Sequence, residues 1–350
     1  MLNSKFVLTE GSRLPRLPAM FRRTVVTIWL PGMLVCAHLL SAADKETGKS
    51  GVQITQQPDR LKIELNGQLF SEYIFTDTPR PYYYPLIGPG GVHMTRNWPM
   101  QSPPGEEHDH PHHRSLWLGH FLVNGIDFWS EAKSFGKTVH TGFDEIKSGK
   151  EFGIIKSKDK WLAPDGKVVC TDERTFRVFA PDASDNRMFD FEITIHASNG
   201  DVTFGDNKDG MMAIRLAETM RLKANKEGQG GQGHVVNSEG QRDGETWGKR
   251  ANWCDYYGPA EGKPVGVALF DHPQNPRHPT WWHVRDYGLF AANPFGRHDF
   301  EKLDDKAAGN LKLPAGESIT FRYRMILHSG DEKEGKVAEK YETYAKTNKP

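Results

Sequence analysis

The 350-residue chain is poor in cysteine, with Cys36, Cys170 and Cys254 alone and no Cys-x-x-Cys spacing. That scarcity excludes a disulfide-dense scaffold, a zinc ribbon and a thiol-redox motif, leaving at most a pairing of Cys170 with Cys254 in an oxidising compartment. An excess of one charge is missing too, with 45 Lys and Arg against 45 Asp and Glu and a formal net charge of zero. Without a basic footprint, nucleic acid is not an expected partner. Long apolar runs are confined to the N-terminal end, so no later segment is suited to span a bilayer. Helical periodicity is scarce, and there is no internal repeat.

What is present begins with that N-terminal run. Arg22-Arg23 is followed by an apolar stretch from Thr24 to Leu40 and then by Ser41-Ala42-Ala43. Basic, apolar and small residues in that order predict a secretory signal over 1–43, with translation starting at Met20 and 44–51 as a linker. Pro31-Gly32 and His38 oppose a stable spanning helix. Without residues 1–43 the chain loses five basic residues and one acidic residue, giving a mature charge of −4 in a periplasmic or secreted protein.

The body, 52–330, reads as one all-β antiparallel domain. Leu61-Lys62-Ile63-Glu64-Leu65 alternates apolar and polar, and Asn66-Gly67 supplies the residues of a tight hairpin before Gln68-Leu69-Phe70. Phe189, Phe191, Ile193 and Ile195 share one face of a second strand, as do Phe321, Tyr323 and Met325 of a third. Segment 331–350 is read as a C-terminal helix and tail, with Val337, Tyr341 and Tyr344 on the docking face. The glycine-rich stretch from Asn225 to Thr246 has no apolar period, and is read as a loop over a site or as disorder.

The densest chemistry lies between Glu106 and His120, where His108, His110, His112, His113 and His120 accompany Asp109 and Arg114. Imidazoles titrate near neutrality and ligate metals, so three readings arise. An extended strand would point His108, His110 and His112 at one cation. A cleft would use one imidazole for proton transfer with Arg114 holding substrate. A turn closed by Pro111 would leave the histidines bonded to backbone.

Other mixed clusters are Arg96 after the Tyr82-Tyr83-Tyr84 run, then Trp253, Asp255 and Tyr257 by alternation, then Trp281-Trp282-His283 with Arg285. Glu218 sits between Arg215 and Arg221 and is read as their salt-bridge partner.

The run Arg80-Pro81-Tyr82-Tyr83-Tyr84-Pro85-Leu86, with Gly90-Gly91-Val92, Thr95-Arg96 and Asp109-His110-Pro111-His112-His113-Arg114 up to Trp117, resembles the signature of the secreted bacterial PmoA-labelled family. The resemblance covers about residues 52–329, with one departure: glycine usually follows the arginine, and Ser115 stands there. The label's methane-oxidising association does not suit a hydrophilic, strand-patterned chain. The strand plan ending in Leu313-Pro314-Ala315-Gly316 is similar to galactose-mutarotase-like β-supersandwiches. That likeness implies a sugar ligand, small or oligomeric, and an epimerase, lyase or hydrolase. His112, His113 and His283 would then be acid/base groups with Asp255 as carboxylate. Arg96, Arg114 and Arg285 would orient oxygens, and Trp253, Trp282 and Tyr257 would form walls. No organic cofactor is expected. Two alternatives stand beside this reading: a transition metal on His110 and His112 serving hydrolysis or oxidation, and a non-catalytic sugar-binding module.

Overall fold

A computed structural model describes residues 50–347. The expected signal segment, most of the linker and Cys36 lie outside them.

Strands β1 (Val52–Gln56), β2 (Arg60–Leu65), β3 (Gln68–Ile74), β4 (Tyr82–Tyr83) and β5 (Leu116–His120) lie side by side in a first sheet. The chain then crosses to a second sheet as a meander of β6 (Lys137–Lys147), β7 (Phe152–Leu162), β8 (Val168–Phe179) and β9 (Arg187–His196). After β10 (Val202–Phe204), β11 (Gly210–Arg215) returns to the first sheet beside β5. Strands β12 (His234–Asn237), β13 (Trp253–Ala260) and β14 (Lys263–Asp271) extend the second sheet. The hairpin of β15 (Trp281–Val284) and β16 (Leu289–Asn293) completes the first. Helix α1 (Arg297–Glu301), β17 (Leu311–Leu313) paired with β10, β18 (Ser318–Ser329) and α2 (Val337–Ala345) follow. The orders are 1-2-3-4-5-11-16-15 and 12-13-14-18-9-8-7-6, and every strand pair is antiparallel. The expected all-β antiparallel sandwich with a C-terminal helix is the observed architecture.

Alternation assigns the faces. Leu61, Ile63, Leu116, Leu118, Ile214 and Phe290 of the first sheet meet Phe176, Phe189, Phe191, Leu269 and Met325 of the second in one core. Tyr83 stacks on Phe176 across it at 4.3 Å. The Asn66-Gly67 hairpin forms as expected, both residues having positive φ (51° and 79°). Cys170 and Cys254 are buried and unpaired.

Helix α2 docks through Val337, Tyr341 and Tyr344, the face its periodicity predicts, onto Trp253, Phe270 and Ile326 of the outer face of the second sheet. Each of those side chains contributes roughly 1.5–3 kcal/mol on burial. The glycine-rich segment is ordered: β12 pairs with β13, and Gly233 packs so closely on the Met220 carbonyl that a Cβ would collide with it. Close approach of backbones, not floppiness, explains that glycine. Among the described residues no helix is long and apolar enough to cross a membrane.

Candidate functional site

The outer face of the first sheet carries the site. Register aligns Tyr82, Trp117, Ala213, Ala291 and His283 in one row across β4, β5, β11, β16 and β15. Two alanines at its centre leave a low floor between a tryptophan and a histidine. Over that floor lies a cavity of about 450 Å³ lined by His110, His112, His113, Phe121, Trp129, Ser130, Lys208, Asp209, His283, Arg285 and Tyr287. That volume is within the ~300–1,000 Å³ typical of small-molecule sites. A larger cleft of about 570 Å³, around His93 and Arg187, lacks comparable chemistry because Arg187 is paired with Asp185.

The histidines do not form a strand. Pro111-His112 is a turn closed by the His113 N–H donating to the His110 carbonyl at 3.0 Å, which removes the face that His108, His110 and His112 would have shared. Instead the turn stacks His110 on His113 at 4.6 Å, continued by Trp117 on one side (5.1 Å) and Tyr287 on the other (5.1 Å). His112 stands edge-on to His113 at 4.5 Å. His108 packs on Trp98, away from the cavity lining.

A buried ionic network holds this loop. Arg96, fully buried, donates to the carbonyls of Trp98, Glu107, Asp109 and His110 and to the Asp109 carboxylate. With its donors committed to the loop, Arg96 positions the histidines and has none for substrate. Arg215 bonds Asp109 at 3.1 Å, and Glu218 joins Arg215 (3.7 Å) and Arg221 (2.7 Å), the salt bridges its position predicted. Arg221 also reaches Glu107 at 2.8 Å. Three guanidiniums thus face three carboxylates, so the charges are compensated where water is excluded. Burial alone would raise the Asp109 pKa, but the hydrogen bond from His110 and the charges of Arg215 and Arg96 hold it well below the usual carboxylate range.

The imidazoles are fixed as donors. Arg215 donates to His113 Nδ1 at 3.1 Å, and the Trp247 indole N–H donates to His283 Nδ1 at 3.2 Å. Arginine and indole can only donate, so both Nδ1 atoms accept and each neutral ring carries its proton on Nε2. Burial keeps them neutral: it lowers the His283 pKa to about 3, assisted by Arg285 and Lys208, and drives His113 well below its usual value, assisted by Arg215. His112 is lowered to about 3 by burial and Arg80.

The remaining carboxylate is Asp209, on the Asn207–Gly210 turn that enters β11. Its Oδ1 lies 3.8 Å from His283 Nε2, and burial raises its pKa against the pull of Lys208. In sequence, Asp206-Asn207-Lys208-Asp209-Gly210 has only the composition of a turn, with nothing within it to single out Asp209. The available signal was a carboxylate and a lysine at the mouth of a strand whose other end bears Arg215.

Several expected site residues lie elsewhere. Asp255 is buried on the outer face of the second sheet, bonded to His328 at 3.0 Å. Trp253 and Tyr257 share its face, as alternation predicts, but that face packs against α2. Trp282 points inward, its indole N–H donating to the Ala251 carbonyl at 2.9 Å, because His283 takes the outward position of β15. Arg114 is held by Glu131 at 2.7 and 3.0 Å and does not line the cavity. His112, His113, His283 and Arg285 are brought together. For metal chemistry the donor set fits poorly: among the described residues no three His, Cys, Asp or Glu converge as ligands around His110 and His112. His113 and His283 offer Nε2 protons where a metal needs lone pairs. Ser115, the departure from the family pattern, has φ of 56°, a conformation that favours glycine.

The chain belongs to a family of unknown function, DUF6807, whose model matches residues 60–342. No curated protein matches it. Among solved structures it is similar to a galactose mutarotase related enzyme from Lactobacillus acidophilus, with 11% identity over 80% of this chain and 98% of that one, at a TM-score of 0.35. A galactose mutarotase-like protein from Lactobacillus casei gives 9% identity over 79% and 100%, at 0.33. A polysaccharide lyase gives 12% identity over 83% of this chain and 34% of its own, at 0.31.

Proposed function

We propose that this member of the DUF6807 family binds a sugar bearing a carbonyl or carboxylate in the histidine cavity and performs acid/base chemistry on it, outside the cytoplasm. The observation that carries the reading is the pairing of two tautomer-locked imidazole donors with one carboxylate of raised pKa in a single aromatic-walled cavity. Trp129, Tyr287 and Phe121 offer faces for the C–H surfaces of a sugar ring, and Arg285 and Lys208 attract an anionic substituent.

Among epimerase, lyase and hydrolase, these groups suit elimination best. Asp209 takes a proton from the carbon next to the carbonyl, and the C–H electron pair moves onto the carbonyl oxygen. The Nε2–H groups of His113 and His283 meet that developing oxyanion, as neutral imidazole donors do without themselves titrating. The pair then returns to expel the neighbouring C–O bond, and the proton on Asp209 passes to the departing oxygen. The order of basic, apolar and small residues within 1–43 supports delivery across a membrane.

The test is a panel of uronate and keto-sugar glycosides, followed by thermal shift and then by product analysis. The expected result is an unsaturated product from a ligand that raises the melting temperature, lost in Asp209→Asn. An inverted but saturated product would make it an epimerase. Binding without turnover across the panel would replace the enzyme by a sugar-binding module.

A further inference from the structure

A second cavity opens on the same sheet face. Trp281 and His283 are both outward residues of β15, roughly 7 Å apart at about 3.3 Å per residue. Trp281 walls a cavity of about 320 Å³ shared with Arg250, Arg277, Arg297, Glu301 and Ala308.

Its charge is unbalanced. Arg250 donates to the carbonyls of Pro279 (2.8 Å), Arg277 (3.1 Å) and His278 (3.4 Å), and its guanidinium lies 4.6 Å over the Trp281 ring. Arg277 donates to the carbonyls of Pro294 (3.0 Å), Asn310 (2.8 Å) and Gly309. Carbonyls orient a guanidinium without cancelling its charge, and among the described residues neither arginine has a carboxylate partner. Glu301 is the only acid in the lining, shared by Arg297 at 2.9 Å and the Trp281 indole at 3.2 Å. Asp206, the acid Arg277 feels most, is already held by the His298 and Gly309 N–H groups and by the His298 ring. Burial lowers the Arg277 pKa, Asp206 resists, and Arg297 adds to the fall. Three guanidiniums against one carboxylate leave the lining a net charge of two across a small space, and two of the three, Arg250 and Arg277, are fixed in direction before any ligand arrives.

We propose that this cavity is an oxyanion subsite that takes a sulfate or phosphate group, free or carried as an ester on a saccharide. Arg250 and Arg297 supply uncommitted N–H groups, Arg277 supplies fixed charge, and Trp281 forms the wall toward His283. The assignment does not depend on what the histidine cavity binds.

Calorimetric titration with inorganic sulfate and with phosphate, at fixed ionic strength, tests it on the full chain. Saturable binding is expected, weakened at least fivefold by Arg250→Gln and by Arg297→Gln, and unchanged in Lys167→Gln, a remote surface variant. Arg250 and Arg297 are exposed, so both variants should fold, and melting curves check this. Absence of saturable binding to the wild type, or equal binding by wild type and both arginine variants, overturns the proposal. A galactose sulfate ester separates the sources: tighter binding than inorganic sulfate, weakened by Arg250→Gln, identifies a sugar-borne group, and equal or weaker binding identifies the free ion.

Discussion

The tautomer lock on His283 can be tested through Trp247. The Trp247 indole N–H is the donor to His283 Nδ1, at 3.2 Å, and the indole is only half-buried, so Trp247→Phe removes the donor while keeping an aromatic ring against Phe300. A neutral hydrogen bond of this kind contributes about 0.5–1.5 kcal/mol, and leaving the buried acceptor unpaired costs about 1–3 kcal/mol. His283 is otherwise enclosed, so no water replaces the indole easily, and the ring regains stability by moving its proton to Nδ1 or by turning. Either change withdraws an Nε2–H from the cavity. Loss of one donor to a developing oxyanion costs roughly 10²–10³ in turnover. The assay is long-range nitrogen–proton correlation on protein labelled at histidine nitrogen, run beside kinetics on a verified substrate. Wild-type His283 should show a protonated Nε2 and a bare Nδ1, and the variant a mixture or the reverse. A wild-type spectrum with the proton on Nδ1 would refute the reasoning at its root, since a donor–donor contact cannot exist there.

Four further outcomes are expected. Asp209→Asn should lower turnover by about 10²–10⁴-fold with the melting temperature little changed, and retained turnover would remove Asp209 from proton transfer. His112 and His283, both lowered to about 3 in the fold, stay neutral while the unfolded chain takes up protons below ~6.5, so their stabilisation is full above that pH and drains as pH falls toward 3. At about 1.4 kcal/mol per proton per pH unit, the pair accounts for roughly 3 kcal/mol lost between pH 7.5 and 5.5, and His283→Gln should halve the effect in urea titrations. Asp255→Ala strands His328 in the second sheet and should cost about 3–5 kcal/mol of stability without altering ligand affinity; a selective loss of affinity would restore Asp255 to the site. Ser115→Gly relieves a positive φ but forfeits the 3.0 Å bond to Thr95 and loosens the unfolded chain, so its stability should stay within about 1 kcal/mol of wild type by thermal melting.

Much of this molecule is written locally. Period-two alternation placed Phe189, Phe191, Ile193 and Ile195 on the inner face of β9, and an i, i+4, i+7 spacing placed Val337, Tyr341 and Tyr344 beneath α2, because each pattern depends only on backbone geometry. The same logic grouped Trp253, Asp255 and Tyr257 on one face. It could not say what that face would meet, and α2 covers it. The density of histidine singled out a loop that lines the cavity, yet the turn at Pro111 set which rings stack. Asp209, Tyr287 and Trp247 come from separate turns and were silent in the sequence, since nothing in a turn's composition records which sheet face it overhangs. Sequence by itself therefore determined the strands, their sidedness and the docking helix, and it marked the histidine-rich loop that lines the cavity. Tertiary structure alone decided which carboxylate, which indole and which guanidinium reach the imidazoles. Those contacts join residues as many as 102 positions apart, as Arg215 is from His113, through strand register.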